Sequence, residues 1–317
     1  MLYLQEKEIG DILTWPETFE ATEAALKSVS QRKVTISSRV FSEIQGTKKW
    51  MVTMSGSLED KKYGAWCCKI LTGNPENVDK NLPSFSGSIL HFDDSTGILK
   101  SVIDGRLISN YRTAAASAVA TKYLFKPEQE RRQILSVLGL GEQGVSHAEA
   151  FYNYFNFDEI RLWNRTSKKA QTLTNNLNKK FQTDKFKFFE NNRDCVTDAD
   201  VIVTATIPSD VPIVKYDWIK STAHINAVGV STSSGLELDS EIYKKAKLYV
   251  DHKNSAEIEL KKLKSLGVDL GTEIGEVVLG QVSQPSPKTL TVFQSLGLVV
   301  EDCAMVRMIS DKYSNKL

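Results

Sequence analysis

The chain is poor in cysteine, with four in 317 residues, and Cys67, Cys68, Cys195 and Cys303 form no C-x-x-C pair. That pattern excludes a disulfide scaffold and a structural zinc site, and it fits a reducing compartment. The four histidines, His91, His147, His224 and His252, show no ligand spacing, so no metal site is expected. No apolar run approaches the roughly 18 residues of a membrane span, and "MLYLQEKEIG" meets charge by its sixth residue, against a secretory signal. Excess charge is also lacking. A net charge of +1 gives no reason to expect a nucleic-acid partner, and the Lys-rich run from Lys168 to Lys187 reads as a solvated helix face. A cytoplasmic protein is expected, although the last residues, Asn315-Lys316-Leu317, stand one substitution from the peroxisomal address S-K-L. Nucleophilic hydrolysis lacks support too, because neither a nucleophile elbow nor a Ser-His-Asp arrangement is present.

What remains is a composition of 41% hydrophobic and 25% charged residues, long enough for two cores. Residues 1–114 alternate like strands in "RVFSEI", "KWMVTM", "YGAWCCKIL", "GSILHF" and "ILKSVID", after an amphipathic helix around Pro16 to Val29. An antiparallel sheet is expected there. From Arg112 the alanine-rich "RTAAASAVATKYL" predicts a helix leading out of this domain. Over 115–291, "QILSVLG", "EIRLWN", "ADVIVTAT", "AHINAVG" and "LYVD" alternate with helical patterns, the rhythm of a doubly wound parallel sheet. The tail from 292, with its helical spacing after Gly297, predicts a long helix with no strand partner that completes the first domain.

"SVLGLGEQG" carries Gly139, Gly141 and Gly144 between a predicted strand and the helical "EQGVSHAEAFYNYF". In that context the glycines read as a Rossmann-type dinucleotide turn, with Gln143 in the first helical turn beside the phosphates. The second strand ends about 24 residues after Gly139, where an NAD site carries Asp or Glu for the ribose. This chain instead reads Trp163-Asn164-Arg165-Thr166. Arg165 suits a 2′-phosphate, with Asn164 and Thr166 as further donors and Lys168 nearby, so NADPH is expected to bind better than NADH. His147 reads as a packing residue.

Two cations stand in odd places. Lys69 shares a strand face with Ala65 and Cys67, and either snorkels to solvent or faces a polar pocket. Arg112 precedes the alanine-rich helix, where the dipole disfavours a cation unless an anion is also held. It clamps a carboxylate, or it pairs with a neighbouring acid. Arg39 alone reads as a surface residue.

Together these stretches, with "LPSFSGSILHFDDSTGILKSVIDG", "WNRT", "HINAVG" and "SLGLVVED", resemble the ornithine cyclodeaminase and mu-crystallin family over nearly the whole chain, and within it the mu-crystallin branch of ketimine reductases. The resemblance implies a homodimer with a Rossmann domain inserted in a substrate and dimerisation domain. It also implies that Lys69, Arg112 and Arg39 gather a substrate carboxylate. Two departures matter: Ser231 stands where cyclodeaminases carry an aspartate, and Phe85 replaces a polar residue, which makes an apolar substrate wall. A serine is a poor base, so the expected reaction is NADPH-dependent reduction of cyclic ketimines such as piperideine-2-carboxylate, with Ser231 beside the cofactor, and not cyclodeamination. Alanine-type dehydrogenation is the nearest enzymatic rival. The resemblance also allows an NADPH-dependent thyroid-hormone or crystallin-type binding protein, with Phe85 and Trp66 as walls.

Overall fold

The computed structural model describes residues 1–80, 82–127, 132–229 and 235–314. The chain divides into two compact units, Met1–Arg112 with the segment from Gly297 onward, and Thr113–Leu296. The Asn315-Lys316-Leu317 tail and Ser231 lie outside the described residues. Among the described residues no helix is long and apolar enough to cross a membrane.

The first unit holds β1 (Leu2–Leu4), β2 (Val34–Ile36), β3 (Val40–Glu43), β4 (Trp50–Leu58), β5 (Ala65–Gly73), β6 (Phe85–Phe92) and β7 (Leu99–Asp104). They form one sheet in the order β1-β7-β6-β5-β4-β2, with β3 paired to β4. The consecutive pairs β4-β5, β5-β6 and β6-β7 are antiparallel, as the alternating sequence predicts, and β1 joins β7 in parallel. Alternation gives the sheet two unlike faces. Ala65, Cys67 and Lys69 of β5 point inward with Met54 and Ile89 of the flanking strands, and all five are buried. That face packs against the helix Val299–Ser314, whose Val299, Cys303, Ala304 and Val306 share its core. A second helix, Trp15–Ser30, opens with Pro16 in its first turn, where a missing N–H costs nothing, and buries Phe19, Ala25 and Val29.

The second unit is a parallel sheet of β8 (Ile134–Leu138), β9 (Glu159–Trp163), β10 (Phe186–Phe188), β11 (Val201–Thr204), β12 (His224–Ala227), β13 (Lys247–Val250), β14 (Thr272–Glu273) and β15 (Thr291–Gln294). Its order, β10-β9-β8-β11-β12-β15-β13-β14, begins with the 3-2-1-4-5 arrangement of doubly wound sheets. β8, β11, β12 and β15 are buried at every residue, as expected of central strands covered on both faces, and so they show no alternation of apolar and polar positions.

Three expectations need correction. "TVFQ" is strand β15, paired in parallel with both β12 and β13, so the tail does have strand partners and the boundary falls at 297 instead of 292. A short, fully buried strand running straight into a helical pattern has no period of its own to reveal it. The alanine-rich helix spans Arg106–Leu124, so it starts six residues before Arg112, and the division of the chain falls inside it after Arg112 instead of after 114. Asp104 accepts from the Arg106 N–H at 2.9 Å and supplies the start signal there.

Candidate active site

The start of that helix changes the argument for Arg112. As the seventh helical residue it lies beyond the first turn, so free helix N–H groups do not share its ligand and the dipole does not set its environment. Two acids do. Arg112 Nη1 donates to Glu301 Oε2 at 2.8 Å, and Nε lies 3.5 Å from Asp302 Oδ1. Lys69 Nζ donates to the same Asp302 carboxylate, at 2.9 Å to Oδ1 and 3.1 Å to Oδ2. Asp302 therefore bridges the two cations. All four residues are buried, with Lys69 and both acids at 0% exposure, so Lys69 does not snorkel. Breaking one such buried pair costs about 3–5 kcal/mol, because the surviving charge is left unpaired.

Backbone geometry delivers each partner. Inward alternation on β5 carries Lys69, and the first turn of Val299–Ser314 carries Glu301 and Asp302, where the helix dipole favours acids. Burial pushes the Lys69 ammonium down, with the nearby Arg112 charge adding to the effect and Asp302 opposing it, to a pKa of about 8. Gly297, at φ +74°, turns the chain into the helix, and a Cβ there would stand 2.3 Å from Arg112 Nη1. Its carbonyl accepts from Arg39 Nη2 at 2.8 Å. The structure thus gathers Lys69, Arg112 and Arg39 around one turn.

Phe85 and Trp66 do not join them. Phe85 is half-buried on the Lys69 face, but it pairs with Gly73 while Lys69 pairs with Ile89, an offset of four residues or about 13 Å along the strand. Trp66 is 43% exposed and, by alternation, sits on the opposite face of β5. Glu301 and Asp302 were missed in the sequence although "LVVEDCAMV" sets two adjacent acids inside an apolar run, which is the available signal.

In the second unit the glycine turn follows β8 and opens the helix Glu142–Tyr154, with Gly141 at its N-cap. Gly139 has φ +90°, and a Cβ there would lie 2.6 Å from Ala205 O. At Gly144 a Cβ would lie 1.8 Å from Gly139 O, so these two glycines serve packing. A Cβ on Gly141 meets nothing within 4 Å, and this open space before a helix N-terminus fits a pyrophosphate. Gln143 is half-buried in the first turn, and its carbonyl accepts from His147 Nδ1 at 2.7 Å. His147 Nε2 accepts from Ser117 Oγ at 2.9 Å, and burial lowers its pKa to about 4, so it is a neutral packing residue.

Arg165 and Thr166 are exposed after β9, as are Lys168 and Lys169 at the start of helix Ser167–Phe181. Asn164 is turned back on the backbone instead. Its Oδ1 accepts from Leu140 N–H at 3.0 Å and its Nδ2 donates to Thr166 O at 3.4 Å, which ties the glycine turn to the strand end. An open groove of about 450 Å³ beside them is lined by Leu140, Val145, Thr166, Lys168, Lys169 and Leu173.

The chain as a whole is similar to known proteins. Rat ketimine reductase mu-crystallin is 40% identical over 247 residues, covering 78% of this chain and 76% of its own length. The Thermococcus litoralis Δ1-pyrroline-2-carboxylate reductase, solved with NADH and L-proline, superposes with a TM-score of 0.91 at 29% identity, covering 100% of this chain and 98% of that one. An archaeal alanine dehydrogenase dimer with bound NAD gives 0.87 at 27% identity, covering 100% and 97%. With a family profile matching residues 1–317 in full, the chain belongs to the ornithine cyclodeaminase/mu-crystallin family.

Proposed function

We propose that this protein reduces cyclic imino acids, ketimines of the piperideine-2-carboxylate type, with NADPH preferred over NADH. The observation that carries the reading is the gathering of Lys69, Arg112 and Arg39 around Gly297. Asp302 pairs with Lys69, and Glu301 with Arg112. Arg112 and Arg39 hold the substrate carboxylate with charge-assisted hydrogen bonds, which fixes the position of the adjacent C=N carbon. Reduction adds a hydride to that carbon and a proton to nitrogen. When bound, the reduced nicotinamide supplies the hydride. Lys69, whose pKa of about 8 keeps it charged at neutral pH, holds the proton for nitrogen, and Asp302 orients it. The names of the relatives, ketimine reductase and Δ1-pyrroline-2-carboxylate reductase, support the same reaction class.

The Gly139–Gly144 turn would hold the pyrophosphate, and Arg165, with Lys168 and Thr166, the 2′-phosphate. The missing strand-end carboxylate supports NADPH over NADH. Phe85 and Asn164 leave the set of direct ligand contacts for the reasons given above. A homodimer is supported by the archaeal dimer and by the exposed Val40, Phe41, Met51 and Trp66 on the first unit's sheet.

The test follows NADPH oxidation with five- and six-membered cyclic ketimines and with pyruvate plus ammonia, beside ammonia release from ornithine with NAD. Oxidation should be fastest with a cyclic ketimine, and ornithine should release no ammonia, since Gly229-Val230-Ser231 lacks an acid. Ammonia release at an enzymatic rate would overturn the Ser231 argument. No turnover of any ketimine, with tight triiodothyronine binding by calorimetry, would replace the enzyme with the hormone binder.

A further inference from the structure

Glu237, in the sequence "GLELDSE", is 2% exposed, and among the described residues its carboxylate accepts hydrogen bonds from four neutral donors. Oε1 accepts from the Thr206 N–H at 2.6 Å and the Thr206 hydroxyl at 2.7 Å. Oε2 accepts from the Thr204 hydroxyl at 2.8 Å and the Gly229 N–H at 2.7 Å. Burial pushes this carboxyl pKa up, and the four donors oppose that shift. Each oxygen faces a backbone N–H that can only donate, so the ionised form is the one the site satisfies. An amide could not replace it, because whichever way it turned, its NH2 would meet one of those N–H groups.

The anchored segments follow β11 and β12. A Cβ on Gly229 would stand 2.6 Å from Glu237 Cδ and 2.4 Å from Thr206 O, so glycine there is the steric condition for this contact. Thr206 in turn packs on the first glycine of the phosphate turn, where a Cβ on Gly139 would lie 2.5 Å from Thr206 Cγ2. One carboxylate therefore ties together the carboxyl ends of β11 and β12, and Thr206 carries that contact to the turn after β8. Dinucleotides bind along that edge of a doubly wound sheet.

We infer that Glu237 is a positioning residue for the dinucleotide, acting through Thr206 and Gly229 and touching no ligand itself. The inference rests on reading the Gly139 turn as a nucleotide site. It separates from the role of Arg165: a residue that shapes the shared rim changes NADPH and NADH affinity together, whereas a 2′-phosphate contact changes their ratio.

Glu237→Gln keeps the size of the side chain and removes one backbone anchor. Dissociation constants for NADPH and NADH are measured by fluorescence titration on wild type and variant, well below the melting temperature of each. Both should weaken by the same factor, about tenfold or more, with the preference between them unchanged. A merely structural residue would lower the melting temperature and leave the affinities of the folded protein alone. Thr206→Val, which removes one hydroxyl and keeps the backbone contact, decides if the glutamine variant does not fold; it should weaken both dinucleotides severalfold. Wild-type affinities in the deciding variant, or loss confined to NADPH, overturn the inference. Failure of the wild type to bind either dinucleotide overturns the nucleotide reading and the inference with it.

Discussion

Gly297→Ala adds one methyl group and no charge, yet it should behave as a substrate-clamp mutant. Gly297 sits at φ +74°, a left-handed conformation that costs an L-residue about 1–2 kcal/mol. The new Cβ would stand 2.3 Å from Arg112 Nη1, 2.9 Å from Nη2 and 3.1 Å from Cζ. Ordinary contact needs about 3.5 Å, so the guanidinium must give by about 1 Å. Room to do so is small, because the side chain is 8% exposed and paired with Glu301 at 2.8 Å. The carbonyl that receives Arg39 belongs to the same residue, so the second clamp arginine loses its register too. A hydrogen bond to a charged group contributes about 1.5–3 kcal/mol, which converts to roughly tenfold to 150-fold in kcat/KM. Steady-state kinetics with a cyclic ketimine should show that loss mainly in KM. The NADPH dissociation constant should stay within about twofold of wild type, and thermal unfolding should begin a few degrees lower. A kcat/KM close to wild type in a protein with a lowered melting temperature would refute the link between Arg112 placement and substrate.

Arg165→Ala should weaken NADPH roughly tenfold to a hundredfold and leave NADH unchanged; equal loss of both would remove Arg165 from the 2′-phosphate site. Reductase kcat/KM should fall as pH rises through about 8, where Lys69 gives up its proton. Unfolding does not account for that fall through this group. Its pKa is lowered from 10.5 to about 8 on folding, so the unfolded chain binds more protons across that window and the lysine's contribution to stability rises with pH. A rate that stays flat to about pH 9.5 would exclude Lys69 as the proton source. The second and third glycines of the turn should differ: Gly144→Ala, with its Cβ 1.8 Å from Gly139 O, should destabilise the fold in circular dichroism melts. Gly141→Ala, whose Cβ meets nothing within 4 Å, should melt like wild type and lose dinucleotide affinity.

The strand–glycine turn–helix in "SVLGLGEQG", the missing acid in "WNRT" and the strand face that Lys69 shares with Ala65 and Cys67 follow from patterns a few residues long, and the sequence alone determined them. Local sterics and side-chain period act within one element, so they survive without knowledge of partners. The strand "TVFQ" and the true start of the helix holding Arg112 were hidden, because buried neighbours on β12 and β13 specify the first and Asp104, eight residues upstream of Arg112, the second. The charge balance at Lys69 was also a tertiary decision: Asp302 is 233 residues away in sequence, and no local rule pairs it with β5. Glu237 belongs to the same class, since its partners Thr204, Thr206 and Gly229 come from the ends of other strands. Burial removes water as an alternative partner, and only packing decides which distant group takes its place.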